Sequence, residues 1–341
     1  MMNIDWETIL ATLRAGRTLD RAAAAAAVDA MMEGRGAPGT IKEFLVRLHE
    51  RGETAEELAG AAESMRKHMV PVDTDRDPLI DTCGTGGDDS GTFNISTAAA
   101  IVTAACGVAV AKHGNRSVTS RTGSADVLES LGVAIDLEPD QVGRCIDEIG
   151  IGFCFAPRMH PAMREVASIR RELATPTLFN LLGPLANPAS APYQLIGVGR
   201  PSAFNELAKA VTLLGTARTF LVKGQDGLDE VTTAAPTDVI EVDGRGARFS
   251  HTWRPVEFGF RTAPFDSARV ENAAQSADLI RRVLSGASGV ARQLVLINAA
   301  AALALVDTMA SMTEHVRRAA EAIDSGDALR LLDAWIEASH S

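Results

Sequence analysis

The sequence predicts an α/β fold: a small N-terminal helical domain, then a larger α/β domain with a mostly parallel central sheet, and a ligand cleft between them. Three observations predict it. The chain has 341 residues, more than one hydrophobic core usually covers, so two lobes are expected. Residues 1–72 carry helix caps and helical apolar spacing. Beyond "VPVDTDRDP" (70–78), short β-rich runs alternate with stretches of helical spacing, as in a parallel sheet.

In chain order, Asp20 precedes "RAAAAAAVDAMMEG", where alanine favours helix and Gly34 supplies a stop. The alanine face leaves room for another helix to approach closely, with a second subunit as one source. Two capping boxes are expected, Thr40 with Glu43 and Thr54 with Glu57. Ile41, Phe44, Leu45 and Leu48 form one apolar stripe. Strands are expected at "LID" (79–81), "VAVA" (108–111), "VAI" (133–135), "QLIGV" (194–198), "FLV" (220–222) and "VIEV" (239–242). Residues 157–188 break this alternation and are rich in Pro, Arg and Asn, so they are expected to rejoin the helical domain. The expected division is therefore 1–72, joined by 157–188, against an α/β domain over 73–341. Pro176 lacks an N–H and disfavours helix at Thr175, so a helix through Arg170 should stop by about Ala174 and regular structure should resume near Thr177.

The net charge of −11 excludes a general binder of nucleic acid or anionic membrane, which needs a broad basic face. With 46% apolar and 23% charged residues, the composition is that of an ordinary soluble protein. The longest nearly apolar run, 98–111, is too short to span a bilayer, and Asp5 and Glu7 stand where a secretory signal carries basic residues. A cytoplasmic protein is expected. Cys83, Cys106, Cys145 and Cys154 show no C-x-x-C spacing and read as buried free thiols.

The segment "DTCGTGGD" (81–88) lies between a strand-like and a helix-like run, at the strand end where α/β sheets bind ligands. Its glycines let backbone N–H groups reach an anion. It has no Gly-Lys-Ser/Thr, and Asp89 replaces the last glycine of a dinucleotide motif. Thr92, Asn94, Ser96 and Thr97 follow at the helix start, where the dipole favours phosphate. The next strand ends in "KHGNRSVTS" (112–120), so Lys112 and Arg116 are expected to face the same crevice. "DGLDE" (226–230) reads alone as a solvated acidic turn, or beside a diphosphate loop as hard oxygen ligands for Mg²⁺.

These motifs, with "TGSADVLESLG" (122–132), "RMHPAM" (158–163), "IRREL" (169–173) and "TLFNLLGPLANP" (177–188), resemble in order the anthranilate phosphoribosyltransferase family of tryptophan biosynthesis. The resemblance implies Mg²⁺-dependent transfer of phosphoribose from phosphoribosyl diphosphate to anthranilate, and a homodimer formed through the helical domain. It places donor contacts at Gly84, Gly87, Asp88, Thr92, Asn94, Ile95, Ser96, Thr97, Lys112, Ser120 and Ser124. Acceptor contacts fall at Gly84, His113, Asn115 and Arg170, with His160 beside that pocket, and metal ligands at Ser96, Asp229 and Glu230. The chain departs from the family's "LG-x-RT" at Leu173-Ala174-Thr175-Pro176-Thr177, and carries Thr119 and Thr122 for serines. Rival readings are a pyrimidine nucleoside phosphorylase, which is typically longer, and a non-catalytic nucleic-acid-binding relative, which expects a basic surface.

Overall fold

The computed structural model describes residues 4–117, 121–173 and 175–341. Four helices open the chain: α1 (Trp6–Arg14), α2 (Arg21–Met32), α3 (Pro38–Arg51) and α4 (Ala55–His68). Asp20 caps α2 by accepting from the Ala23 amide, and Thr54 with Glu57 forms the expected capping box of α4. The box expected at Thr40 does not form. Pro38, suited to the first helical position, starts α3 earlier, and Glu43 instead receives two hydrogen bonds from Arg14 at 2.7 Å. The alanine face of α2 packs on α4 of the same chain, and Gly60 permits it: a Cβ there would lie 2.1 Å from the Arg21 carbonyl oxygen. No second subunit is needed to fill that face.

The larger part runs β1 (Leu79–Gly84), α5 (Ile95–Ala105), β2 (Ala109–Gly114), α6 (Ser124–Leu131), α7 (Pro139–Ile149), β3 (Ile151–Phe155), α8 (Ala156–Met159), α9 (Arg164–Leu173) and α10 (Leu178–Leu182). It continues with β4 (Tyr193–Gly197), α11 (Phe204–Leu214), β5 (Arg218–Gly224), β6 (Thr237–Asp243), β7 (Arg248–Trp253), α12 (Ala273–Leu284), α13 (Val290–Leu303), α14 (Met312–Asp324) and α15 (Asp327–Ser339). The strands form one sheet in the order β3-β2-β1-β4-β5-β6-β7. The first five are parallel, and β6 and β7 are antiparallel. The apolar pattern places the run 239–242 in a parallel setting, and the structure does not. The loop 225–236 ahead of it holds no crossover helix, so β6 returns beside β5 in the opposite direction.

The strand expected at 133–135 is absent: Val133 and Ile135 are buried in the core, and the Ala134 amide donates to Ser339 Oγ of α15 at 2.9 Å. The edge position belongs to β3 instead. Helix α9 ends at Leu173 and Thr177 caps α10, as the proline requires; Ala174 lies outside the described residues.

One core cluster joins α5, α6, α7 and the C-terminal helices to β1, β2 and β3. A second joins α1–α4 with α9, α10, α11 and the opposite face of the sheet. Helix α9 packs on α2 and α3, and α10 on α3 and α4. Arg200, just after β4, ties the two parts together through Glu53 and, at 3.0 Å, His49 Nδ1. Cys145 and Cys154 are buried free thiols as expected, whereas Cys83 and Cys106 are only partly covered.

Candidate active site

The C-terminal ends of β1, β2 and β4 meet at one crevice. Gly84 of β1 pairs with Gly197 of β4, and each is glycine because the loop 226–230 crosses over them. A Cβ on Gly84 would sit 3.2 Å from Asp229 Oδ2; one on Gly197 would sit 1.7 Å from the Asp229 carbonyl oxygen. Gly199 is constrained likewise, its virtual Cβ lying 2.4 Å from the Gly86 carbonyl. Sequence reading missed Gly197 and Gly199, although "GVG" after a strand was a usable signal. Gly86 and Gly87 turn the loop with φ of 65° and 83°, the left-handed region open to glycine. The loop is pinned at both ends: the Thr85 amide donates to Gly197 O (2.8 Å), Phe93 to Ala268 O (3.0 Å), and Val270 to Gly91 O (2.9 Å).

Three carboxylates converge behind this loop. Asp88 Oδ2 accepts from the Asp229 amide at 3.3 Å, and Glu230 Oε1 accepts from the Ser96 amide at 3.1 Å, covering the start of α5 from another part of the chain. Asp229 and Glu230 are half-buried. Burial, then repulsion from Asp88 and Glu230, pushes the Asp229 carboxyl well above its ordinary range. Burial raises Glu230 to about 7 even though Lys112 opposes the shift. Lys112 is 2% exposed; its Nζ donates to Thr82 O and to Ser96 Oγ (3.3 Å).

Acids whose charge is opposed by their surroundings and by neighbouring carboxylates, as at Asp229 and Glu230, make a site that a hard cation stabilises. Their oxygens do not close into a compact cage. Among the described residues the one such group is Asp29, Glu33 and His68 on α2 and α4, where Lys67 already holds both Asp29 oxygens. An open acidic edge fits Mg²⁺, which is commonly bound by one or two carboxylates plus substrate phosphate.

The remaining expected donor residues that are described follow β1 and β2 in the chain. Thr92 Oγ1 is 3.1 Å from Ser90 Oγ, and Ser124 Oγ donates to Asn115 O (3.4 Å). Thr97 is buried with its hydroxyl unpartnered. Ile95 packs its side chain in the core and spends its amide on Phe93 O (2.7 Å). Ser120 lies outside the described residues. Arg116 corrects an expectation: it turns away onto α6, pairing with Asp126 (3.0 Å) and Glu129 (2.9 Å).

On the acceptor side, His113 is buried under the end of β2. Its backbone amide donates to Asp81 Oδ1 (3.1 Å), its Nδ1 meets Gly183 O (2.8 Å), and its Nε2 lies 3.2 Å from His160 Nε2. Burial pushes His113 down to about 4 and His160 to about 3, so both are neutral at pH 7. Asn115 is exposed. Arg170 lies 5.4 Å over the Phe179 ring, and no carboxylate pairs with it among the described residues. No hydrogen bond joins Arg170 to Asn115 or Gly84 among them.

A helical bundle beside a sheet whose Gly-rich loop meets buried acids defines a glycosyl transferase of the phosphoribosyl type. The chain matches the glycosyl transferase family, a/b domain, over residues 76–329 and the glycosyl transferase family, helical bundle domain, over 7–69. It is 51% identical over 312 residues to the anthranilate phosphoribosyltransferase of Rhodopirellula baltica, covering 92% of this chain and 91% of that one. The solved enzyme of that name from Thermus thermophilus superposes with TM-score 0.90 at 40% identity, over 98% of this chain and 99% of that one. The Saccharomyces cerevisiae enzyme in complex with PRPP and Mg gives TM-score 0.90 at 27% identity, over 99% of each chain. The yeast enzyme has also been solved with 4-fluoroanthranilate. The chain belongs to the anthranilate phosphoribosyltransferase family. No helix among the described residues is long and apolar enough to cross a membrane.

Proposed function

We infer that this chain transfers the phosphoribosyl group of PRPP to the amine of anthranilate, releasing diphosphate, a step of tryptophan biosynthesis. The observation that carries the reading is the convergence of Asp88, Asp229, Glu230 and buried Lys112 on one Gly-rich loop and helix start. Breaking the bond from the anomeric carbon to diphosphate puts positive charge on the sugar and negative charge on the leaving group. Oriented N–H groups of the loop and the Lys112 ammonium stabilise the latter. Asp229, Glu230 and Ser96 would hold Mg²⁺, whose charge neutralises the diphosphate.

An aromatic amine is neutral at physiological pH and attacks without a strong base; as the C–N bond forms and the C–O bond to diphosphate breaks, the nitrogen releases one proton to water, His113 being too weakly basic at about 4 to take it up. Arg170 and Asn115 are assigned to the anthranilate carboxylate, a guanidinium being suited to bidentate pairing. Gly84 and His113 line the same acceptor pocket. Two copies are proposed to associate through the helical domain. The test follows loss of anthranilate fluorescence with PRPP and Mg²⁺ present. Loss dependent on both supports the reading; none from folded protein removes it.

A further inference from the structure

Asn94 stands at the N-cap of α5, yet its side chain accepts no hydrogen bond from that helix. That is unusual for asparagine, one of the strongest N-caps, whose side-chain oxygen normally takes the N2 or N3 amide. Here the oxygen is held elsewhere. Ser276, in the first turns of α12 and fully buried, accepts the Asn94 backbone N–H at 3.0 Å and donates its hydroxyl proton to Asn94 Oδ1 at 2.8 Å. Ser276 Oγ thus accepts one hydrogen bond and donates one, both to Asn94. Thr122 Oγ1 donates to the same Oδ1 at 3.2 Å, and Asn94 Nδ2 donates to Thr122 O at 3.4 Å. Oδ1 is thereby held by the Ser276 hydroxyl, with the single Thr122 proton shared between it and Gly123 O (3.4 Å), and one Asn94 amide N–H has no partner among the described residues.

We propose that Ser276 is a positioning residue for the donor site: with the Ile95 and Ser96 amides already taken by Phe93 O and Glu230, it withholds Asn94 from capping α5 and so leaves the Thr97 amide and one Asn94 N–H to the donor's phosphate. The inference rests on the reading of this loop as the donor site. Without the serine hydroxyl, Asn94 Oδ1 would rotate onto the Thr97 amide, the Ser96 amide being held by Glu230, and compete with the anion for that N–H. Sequence reading passed over Ser276 because it lies far along the chain from the loop it organises.

The test compares wild type with Ser276→Ala and Ser276→Thr, varying PRPP and anthranilate separately. Ser276→Ala should raise the PRPP KM about tenfold, the equivalent of one hydrogen bond to a charged group. Its kcat and anthranilate KM should stay within about twofold. Ser276→Thr, which keeps the hydroxyl, should recover most of the lost affinity. A ligand-free crystal structure of Ser276→Ala should show Asn94 Oδ1 on the Thr97 amide. An unchanged PRPP KM, or a parallel loss in kcat, both KM values and thermal midpoint, overturns the proposal. If Ser276→Ala does not fold, Thr122→Val removes the second hydroxyl donor and must show the same PRPP-specific defect. Asn94→Ala separates the two levels. If it weakens PRPP while Ser276→Ala does not, the inference alone fails; if it leaves the PRPP KM unchanged, the donor reading fails with it.

Discussion

Without metal, Glu230 keeps its proton to about pH 7 because burial opposes its charge and the Lys112 attraction is too weak to restore it. An acid whose folded pKa lies above its unfolded value adds stability below the unfolded value and loses it as pH rises through the folded one. The loss therefore falls between about pH 4.5 and 7. Water reaching the carboxylate through the crevice limits it to roughly 1–3 kcal/mol. In chelator, Glu230→Gln should exceed wild type in stability by that amount at pH 8 and match it at pH 4. Denaturant titration measures this, and a gap independent of pH would contradict it. His113 and His160, depressed by burial, lose their contribution as pH falls below about 6.5 in both proteins and cancel from the comparison. At the acceptor, Arg170→Ala should raise the anthranilate KM by about tenfold and leave that of PRPP alone; the reverse pattern would refute its role. Ser96 and Lys112 stood out in the sequence because they sit inside contiguous motifs close to the glycine-rich loop. Gly197, Gly199 and Ser276 were not, because their roles arise from contacts with chain segments distant in sequence.

Among the elements, α2 and α4 depend on one missing methyl. Gly60→Ala would place a Cβ against the Arg21 carbonyl and should cost about 1–3 kcal/mol, read as a lowered thermal midpoint. No change in midpoint would show that the first turn of α2 can withdraw. Where side-chain caps are strong, as at Asp20 before α2 and Thr54 before α4, the first residue of the helix was legible. The start of α3 was not, since proline at its first position outweighed the Thr40 box. Apolar runs alone misplaced 133–135, where the Ala134 amide goes to α15 rather than to a neighbouring strand. Strand direction at 239–242 depended on the absence of a crossover helix, which local apolar pattern does not encode.

For the whole molecule, the join between its two parts runs through Arg200, Glu53 and His49. The Glu53 side chain is 0% exposed, and Arg200 follows Gly199, whose amide donates to Thr85 Oγ1 of the glycine-rich loop at 3.0 Å. Arg200→Met should therefore destabilise by about 3–5 kcal/mol, because it strands a buried carboxylate. Adding Glu53→Gln should restore much of that, and denaturant midpoints that did not recover in the double variant would argue against the pair as the cause. The sheet order has a different consequence, for biosynthesis. Strand β1 is flanked by β2, made soon after it, and by β4, made much later, so on the ribosome one of its edges waits unpaired. Asp229 and Glu230 emerge later still. Stalled nascent chains should gain protease protection from PRPP and Mg²⁺ only once residue 230 has cleared the exit tunnel, so substrate cannot guide the early folding of the loop it will occupy.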